Sequence, residues 1–403
     1  MENTEIKIVL GSAFGDEGKG VTVQYLCKEA IDKGKKPLVI RFSGGPQAAH
    51  TINNNGVEHI CSTYGSGVLL GVPTLIWDTA YFDPICAKNE YEVLKTKMDE
   101  VPPLYVMPKT RIITPYDVYF GRNDLKVLKD GTCGKGIYPT FKRNKEGLVV
   151  NPENMFNDNI LYELELNYYD NDDLTDLSPE GKMYENFIKE ANEDKYNFFS
   201  VTGGGLLLCL FDVLIFEGSQ GLLLDMDRGF FPNVTPSKVG LNAFTEDKFL
   251  EQALYNAEVY LVTRTYLTRH GNGYTPCNYG FPFDLTNKHE TNVYNDFQGN
   301  FKYGLLNFDL LNEAFTRHCL DNYWKHYNIT FNLVVTHWDL INQVNEYSFI
   351  CNKDRTRITR GDFPDGEFEK TIADAFRYFP KDLRLKNVFV NDSIESNLKN
   401  LDF

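Results

Sequence analysis

The 403-residue chain is 42% hydrophobic and 14% aromatic, enough apolar material for one large α/β domain or two smaller ones. Its 41 Lys and Arg against 56 Asp and Glu leave a net charge of −15, which argues against a general nucleic-acid or anionic-membrane binder but not against a local anion site. Eight scattered cysteines without a CxxC pair suit reduced thiols and weigh against a structural zinc site. With no charged-then-apolar leader and no apolar run near the ~20 residues that span a bilayer, the expected location is cytoplasmic.

A strand-like run at 6–10 leads into the loop Gly15-Asp16-Glu17-Gly18-Lys19-Gly20, and a helix is predicted from about 21 to 33 before a second strand at 37–42. This opening reads as a βαβ unit. Glycines there let backbone N–H groups close on an anion, the helix start adds its positive end, and Lys19 can neutralise phosphate charge. Asp16 has the chemistry of a Mg²⁺ ligand or a base. The loop is not the standard G-x-x-x-x-G-K-[ST] phosphate loop, because Gly20 follows Lys19. Further strands are predicted at Val68–Ile76, Phe211–Phe216, Val259–Thr265, Ile329–Thr336 and Asn387–Val390. They alternate with helical stretches at Glu90–Met98, Asp247–Tyr255, Leu310–Tyr327 and Lys370–Tyr378, which predicts an α/β fold with a large, mostly parallel sheet covered by helices. Residues 143–200, rich in Asn, Asp, Glu, Lys and Tyr, read as a solvated peripheral helical insertion; without repeats or a long linker, 1–403 reads as one elaborated domain.

Chemistry gathers at the predicted strand ends. The second strand runs into Ser43-Gly44-Gly45-Pro46-Gln47-Ala48-Ala49-His50, where small residues admit a ligand and His50 titrates near neutrality. Such a histidine is more often structural, but it follows the strand beside the phosphate-type loop. A third glycine loop, Gly131 to Gly136, holds Thr132, Cys133 and Lys135. The run Phe216-Glu217-Gly218-Ser219-Gln220-Gly221 puts an amide at the sheet edge, suited to a purine edge or a phosphate oxygen. Thr268-Arg269-His270-Gly271 and Thr336-His337-Trp338-Asp339 end two later strands, and an acid such as Asp339 can accept from the N1–H and 2-amino group of guanine. Six such ends imply an extended site for more than one charged substrate. That favours a nucleotide-using transferase or ligase over a binding module.

In order, G-D-E-G-K-G, G-G-x-x-A-x-H-T, G-T-x-G-K-G, F-E-G-[AS]-Q-G-x-L-L-D, T-R-x-G-x-G and T-x-x-D resemble the motifs of the adenylosuccinate synthetase family. The resemblance implies a P-loop-like ligase that joins L-aspartate to C6 of a 6-oxopurine monophosphate, after a purine triphosphate, GTP or ATP, has phosphorylated O6. By resemblance Asp16 is the base and a Mg²⁺ ligand, the Ala49 carbonyl a second ligand, and His50 the acid that stabilises charge on O6. Lys19 and the loop residues Gly15, Glu17, Gly18 and Gly20 would hold triphosphate oxygens. Gln47, Thr132, Cys133, Gln220 and Thr235 fall on monophosphate contacts, and Asp339 on the triphosphate base. Arg269, Gln298 and Lys302 fall in the matching substrate loops, and a homodimer is implied.

The chain departs from the family pattern at several positions. Gln47 stands for Asn, Cys133 for Thr, and His337 for Lys; Asn391-Asp392-Ser393-Ile394 replaces S-x-G-P. Across 291–304 only Lys302 is positive, where the family carries an arginine clamp for aspartate. Phe42-Ser43-Gly44-Gly45, Tyr64-Gly65-Ser66-Gly67 and Gln298-Gly299 resemble the divergent phage and archaeal branch, whose phage members aminate dGMP. Those members tend to replace the catalytic Asp by a smaller residue, so retention of Asp16 favours an IMP-like acceptor, with dGMP the alternative. A non-catalytic nucleotide-binding relative is the alternative from another class, which retention of Asp16, His50 and Lys19 together speaks against.

Overall fold

The computed structural model describes residues 4–124, 133–157, 159–160, 163–168, 186, 197–274, 294, 296–297, 299–319, 322–342, 346–351, 354–359, 367–377, 383, 385–391 and 398–400. Thr132, Gln298, Asp392, Ser393, Ile394 and most of 169–196 lie outside the described residues. The main sheet comprises β1 (Glu5–Gly11), β2 (Pro37–Arg41), β3 (Thr74–Ile76), β4 (Leu104–Val106), β5 (Phe199–Val201), β6 (Val213–Gly221), β7 (Glu258–Arg264), β8 (Thr330–Thr336), β9 (Leu385–Val390) and β10 (Lys399–Asn400). Their spatial order is β10-β9-β8-β7-β1-β6-β2-β3-β4-β5. All neighbours pair in parallel except β9 and β10.

A central parallel strand is covered on both faces, so it needs apolar side chains at successive positions. The sequence supplies them. Ile8 and Leu10 of β1 join Leu38, Ile40, Leu214 and Phe216 in one buried cluster, while Val9 joins Val39, Val213, Ile215 and Val262 in another. Helix α1 (Lys19–Asp32) covers the second face with Val23, Leu26, Cys27 and Ala30, the i, i+3, i+4, i+7 stripe of an amphipathic helix.

Three of the differences from expectation bear on the sheet. Val68–Leu70 is a short 3₁₀ turn and only Thr74–Ile76 is strand, because the chain turns at Gly71 with φ +76° and then meets Pro73. The predicted Leu310–Tyr327 helix is a helix at Phe308–His318 and a 3₁₀ turn at Asn322–Tyr327. In the 143–200 stretch, Val150, Met155 and Leu164 are buried in a core cluster, and β5 extends the main sheet beside β4. Those parts are tied into the sheet layer. No helix among the described residues is long and apolar enough to cross a membrane.

β1 sits near the middle, between β6 and β7, so the chain leaves it in both directions across the sheet. In an open parallel sheet that is where strand-end loops part and a ligand can enter. The loops after β1, β2, β6, β7 and β8 all emerge at this carboxyl edge.

Candidate active site

The loop after β1 is organised by its own acid. Glu17 Oε1 accepts from the N–H groups of Ala13 (3.0 Å) and Gly15 (2.8 Å), and Glu17 Oε2 accepts from Lys19 Nζ at 3.0 Å. Lys19 is only 2% exposed. The pair is buried and shapes the loop. Neighbouring strand ends fasten the outer part. Arg264 Nε donates to the Asp16 carbonyl, Thr268 Oγ1 to the Gly15 carbonyl at 3.3 Å, and Thr336 Oγ1 to the Glu17 carbonyl at 2.6 Å. Asp16 is held at φ +60°, a conformation uncommon for a residue with a Cβ.

Gly18 opens α1 at φ +94°, and a Cβ there would stand 2.8 Å from Thr336 Cγ2. At Gly20 a Cβ would meet His50 Cβ at 2.7 Å. The histidine thus lies against the first turn of the helix that the loop starts. This close approach brings the G-D-E-G-K-G loop and the second glycine segment into one place.

His50 heads the hairpin His50–Asn54 and Val57–Cys61. Its Nδ1 lies 2.5 Å from Glu217 Oε1, on β6. Glu217 is fully buried, and Ser66 grips both its oxygens: the Ser66 N–H donates to Oε2 at 3.0 Å and the Ser66 hydroxyl donates to Oε1. Burial alone would raise the Glu217 pKa, but His50, the Arg41 guanidinium and the Ser66 hydroxyl together hold it down at about 2. Burial pushes the His50 imidazole below its ordinary value against the pull of Glu217. An ionised Glu217 accepts the Nδ1 proton, which leaves Nε2 to face a ligand. Arg41 ties the segment in place, donating to the Ala48 carbonyl at 2.8 Å and the Tyr64 carbonyl at 3.3 Å.

Other expected residues are distributed unevenly. Gln47 has both side-chain polar atoms buried with no partner among the described residues, as expected of an amide that waits for a ligand. Gln220, at φ +49°, lies against Gly15. Thr235 is half-buried, with its N–H on the Leu224 carbonyl. Cys133 packs against the buried Tyr81, Ile113 and Ile137, and burial raises its thiol pKa.

Arg269 is a clasp. Its guanidinium donates to the carbonyls of Asn272, Tyr274 and Asn233 and stacks 4.3 Å from the Phe14 ring centroid. Lys302 Nζ donates to the Gly271 carbonyl at 2.8 Å. Both cations thus hold loops, where the sequence suggested direct contact with substrate. Asp339 is exposed in the 3₁₀ turn Trp338–Asn342.

Sequence reasoning assigned no role to Glu217, Arg41, Ser66 or Arg264. Glu217 is separated from His50 by 167 positions, and only its place at a buried strand end signals it. Arg264 was visible as a cation ending β7, but its grip on the Asp16 carbonyl exists only once β7 lies beside β1.

A family model described as adenylosuccinate synthetase matches residues 8–293. The adenylosuccinate synthetase of Azobacteroides pseudotrichonymphae genomovar. CFP2 is 30% identical over 297 residues, which cover 68% of this chain and 65% of that protein. That of Mesoplasma florum is 27% identical over 295 residues, 70% of this chain and 65% of that protein. The chain thus spans about two thirds of the length of these curated relatives. In fold it is similar to the fully ligated adenylosuccinate synthetase of Plasmodium falciparum, with a TM-score of 0.74 and 18% identity over 99% of this chain and 100% of that one. The succinoaminodeoxyadenylate synthetase of cyanophage S-2L, bound to dGMP and dATP, gives a TM-score of 0.64 and 13% identity over 99% of this chain and 96% of that one. With more than half of its residues matched by that family model, and with the loop after β1 and His50 meeting at one sheet edge, the chain belongs to the adenylosuccinate synthetase family.

Proposed function

We propose that this protein is a carbon–nitrogen ligase that joins L-aspartate to C6 of an IMP-like 6-oxopurine nucleoside monophosphate, driven by GTP or ATP through a 6-phosphoryl intermediate. The observation that carries the reading is the convergence of an acid–base pair, Asp16 and the Glu217-held His50, on the glycine loop that opens α1. Binding alone needs no such pair. Asp16 takes the N1 proton of the purine, which makes O6 nucleophilic toward the γ-phosphorus of the triphosphate. In its doubly protonated form, with Nδ1–H held by Glu217, His50 donates through Nε2 to the charge that develops on O6 and the transferring phosphoryl group. The aspartate amine then attacks C6, and O6 leaves with the phosphate. The unpartnered amide of Gln47 suits the monophosphate's oxygens.

The Asp16 carboxylate and the Ala49 carbonyl offer hard oxygen donors of the kind Mg²⁺ prefers, on segments that Gly20 and His50 hold together. When bound, the ion would neutralise phosphate charge during transfer. We read the chain as one ligase unit because a single sheet takes strands from Glu5 to Asn400. Cytoplasmic location and a homodimer remain part of this proposal, supported by cysteine usage and by the family respectively.

Incubation with aspartate and Mg²⁺, with GTP or ATP as donor and IMP, dIMP, GMP or dGMP as acceptor, tests the reading. Phosphate release that requires both aspartate and IMP or dIMP is the expected result. Turnover with dGMP alone would move the acceptor to the phage-type substrate. No turnover with any pair would overturn the ligase reading.

A further inference from the structure

Behind the site, on the β3 side of the sheet, the buried side chains of His59, Cys61 and Glu90 bring three ligand-type atoms within 4.8 Å of one another. The hydrogen bonds give this cluster a different task from holding a metal ion. Glu90, on α2 (Pro84–Lys95), accepts at Oε2 from Ser62 N (3.1 Å), Ser62 Oγ (3.0 Å) and Thr63 N (2.6 Å), and at Oε1 from Tyr64 N (3.3 Å). His59 Nε2 lies 3.2 Å from Oε1, and Lys97 Nζ lies 3.3 Å from His59 Nδ1. An ammonium can only donate, so Nδ1 accepts and the ring proton sits on Nε2, aimed at Glu90. Both carboxylate oxygens and both ring nitrogens are thereby engaged.

Three successive backbone amides on one buried carboxylate fix the path of residues 62–64. Ser66 comes directly after that turn; its N–H and hydroxyl hold Glu217, and Glu217 holds Nδ1 of His50. The same turn presents the Tyr64 carbonyl to Arg41, which secures Ala48 two residues before His50. Both routes from Glu90 end on the histidine. We propose that Glu90 is a positioning residue: it sets the 62–66 turn so that Ser66 aligns Glu217 and fixes His50 with its Nδ1 protonated and its Nε2 toward the reaction. This rests on the role read above for His50, but the brace itself can be tested without substrate.

Histidine ¹⁵N NMR of the full-length protein, with the His50 signal assigned by its loss in His50→Gln, reports which ring nitrogen carries the proton. The wild type should show a single Nδ1–H form. Glu90→Gln puts an amide donor against the 62–64 amides, so His50 should shift toward a mixture of forms. Glu90→Asp keeps the charge but retracts it by one methylene, and should do so to a smaller extent, which keeps the test available if Glu90→Gln does not fold. In turnover, Glu90→Gln should lower kcat about tenfold with KM for both nucleotides within about twofold, a misplacement effect on the catalytic group rather than on binding. Ser66→Ala should cost a similar factor in the wild type and little in the Glu90→Gln background, because the two act along one path. Unchanged His50 signals in the folded Glu90 variants, or kcat effects that simply multiply, would overturn the proposal. Absence of turnover in the wild type would count against the ligase reading alone, with the NMR comparison still deciding the brace.

Discussion

The roles of Asp16 and His50 can be tested by substitution. Asp16→Asn and His50→Ala should each abolish phosphoryl transfer, measured as nucleotide-dependent phosphate release; Asp16→Asn should leave the thermal midpoint within a few degrees of wild type, whereas His50→Ala also removes a partner of buried Glu217 and should lower it. Retained transfer in either variant would show the assigned role to be wrong. Glu217 is different because it is buried and charged. Glu217→Gln should lower kcat by about 10²-fold, since a neutral amide no longer fixes the Nδ1 proton of His50. It should also change acid stability in a definite direction. The folded pKa of Glu217, about 2, lies below the ordinary carboxylate value, so its stabilising contribution is complete above that ordinary value and is lost as pH falls toward 2. Chemical denaturation between pH 5 and pH 2 should therefore show a steeper loss for wild type than for Glu217→Gln, and equal slopes would contradict the assignment.

The loop after β1 shows how local chemistry and element packing combine. Glycine spacing announced an anion-binding turn, yet the carboxylate on the Ala13 and Gly15 amides in this structure is Glu17 from the loop itself. Sequence reading could not decide that, because Glu17 and Lys19 differ from ligand-facing residues only in where the loop and the first turn of α1 point them. Gly18→Ala should be severe. Its φ of +94° costs a residue with a Cβ about 1–2 kcal/mol, and the added methyl presses on Thr336 and through it on β8. A lower thermal midpoint together with loss of nucleotide affinity is expected; an unchanged midpoint would mean that α1 can start elsewhere. The sheet strands were legible for a simple reason. Strands buried on both faces need runs such as Ile8-Val9-Leu10 and Val213-Leu214-Ile215-Phe216, which few other elements tolerate. Val68–Ile76 is equally apolar, but Gly71 and Pro73 break it, and only tertiary pairing shows that strand resumes at Thr74.

At the scale of the whole molecule, the fold is a device for collecting strand ends. The parallel strands bring loops from residues 11 to 337 to the carboxyl edge, and the hydrophobic clusters on the two faces of β1 hold them in register. Phe216→Ala, which empties a fully buried ring site at the strand position before Glu217, should cost about 3–5 kcal/mol of stability by denaturant titration. A cost below about 1 kcal/mol would show that the core does not rest on this sheet centre. The order of the motifs carried the family resemblance because the fold needs each strand end in its place. The partners behind them, such as Glu90 and Ser66, carried no sequence pattern because their contacts join elements far apart in the chain. The proposed chemistry turns on one event: O6 of the purine leaves as phosphate after receiving the γ-phosphoryl group. IMP labelled with ¹⁸O at C6, turned over with aspartate, Mg²⁺ and GTP or ATP, exposes that event through mass spectrometry of the released phosphate. One ¹⁸O is expected in each phosphate formed with product, whereas aspartate-dependent turnover that releases only unlabelled phosphate would contradict the mechanism.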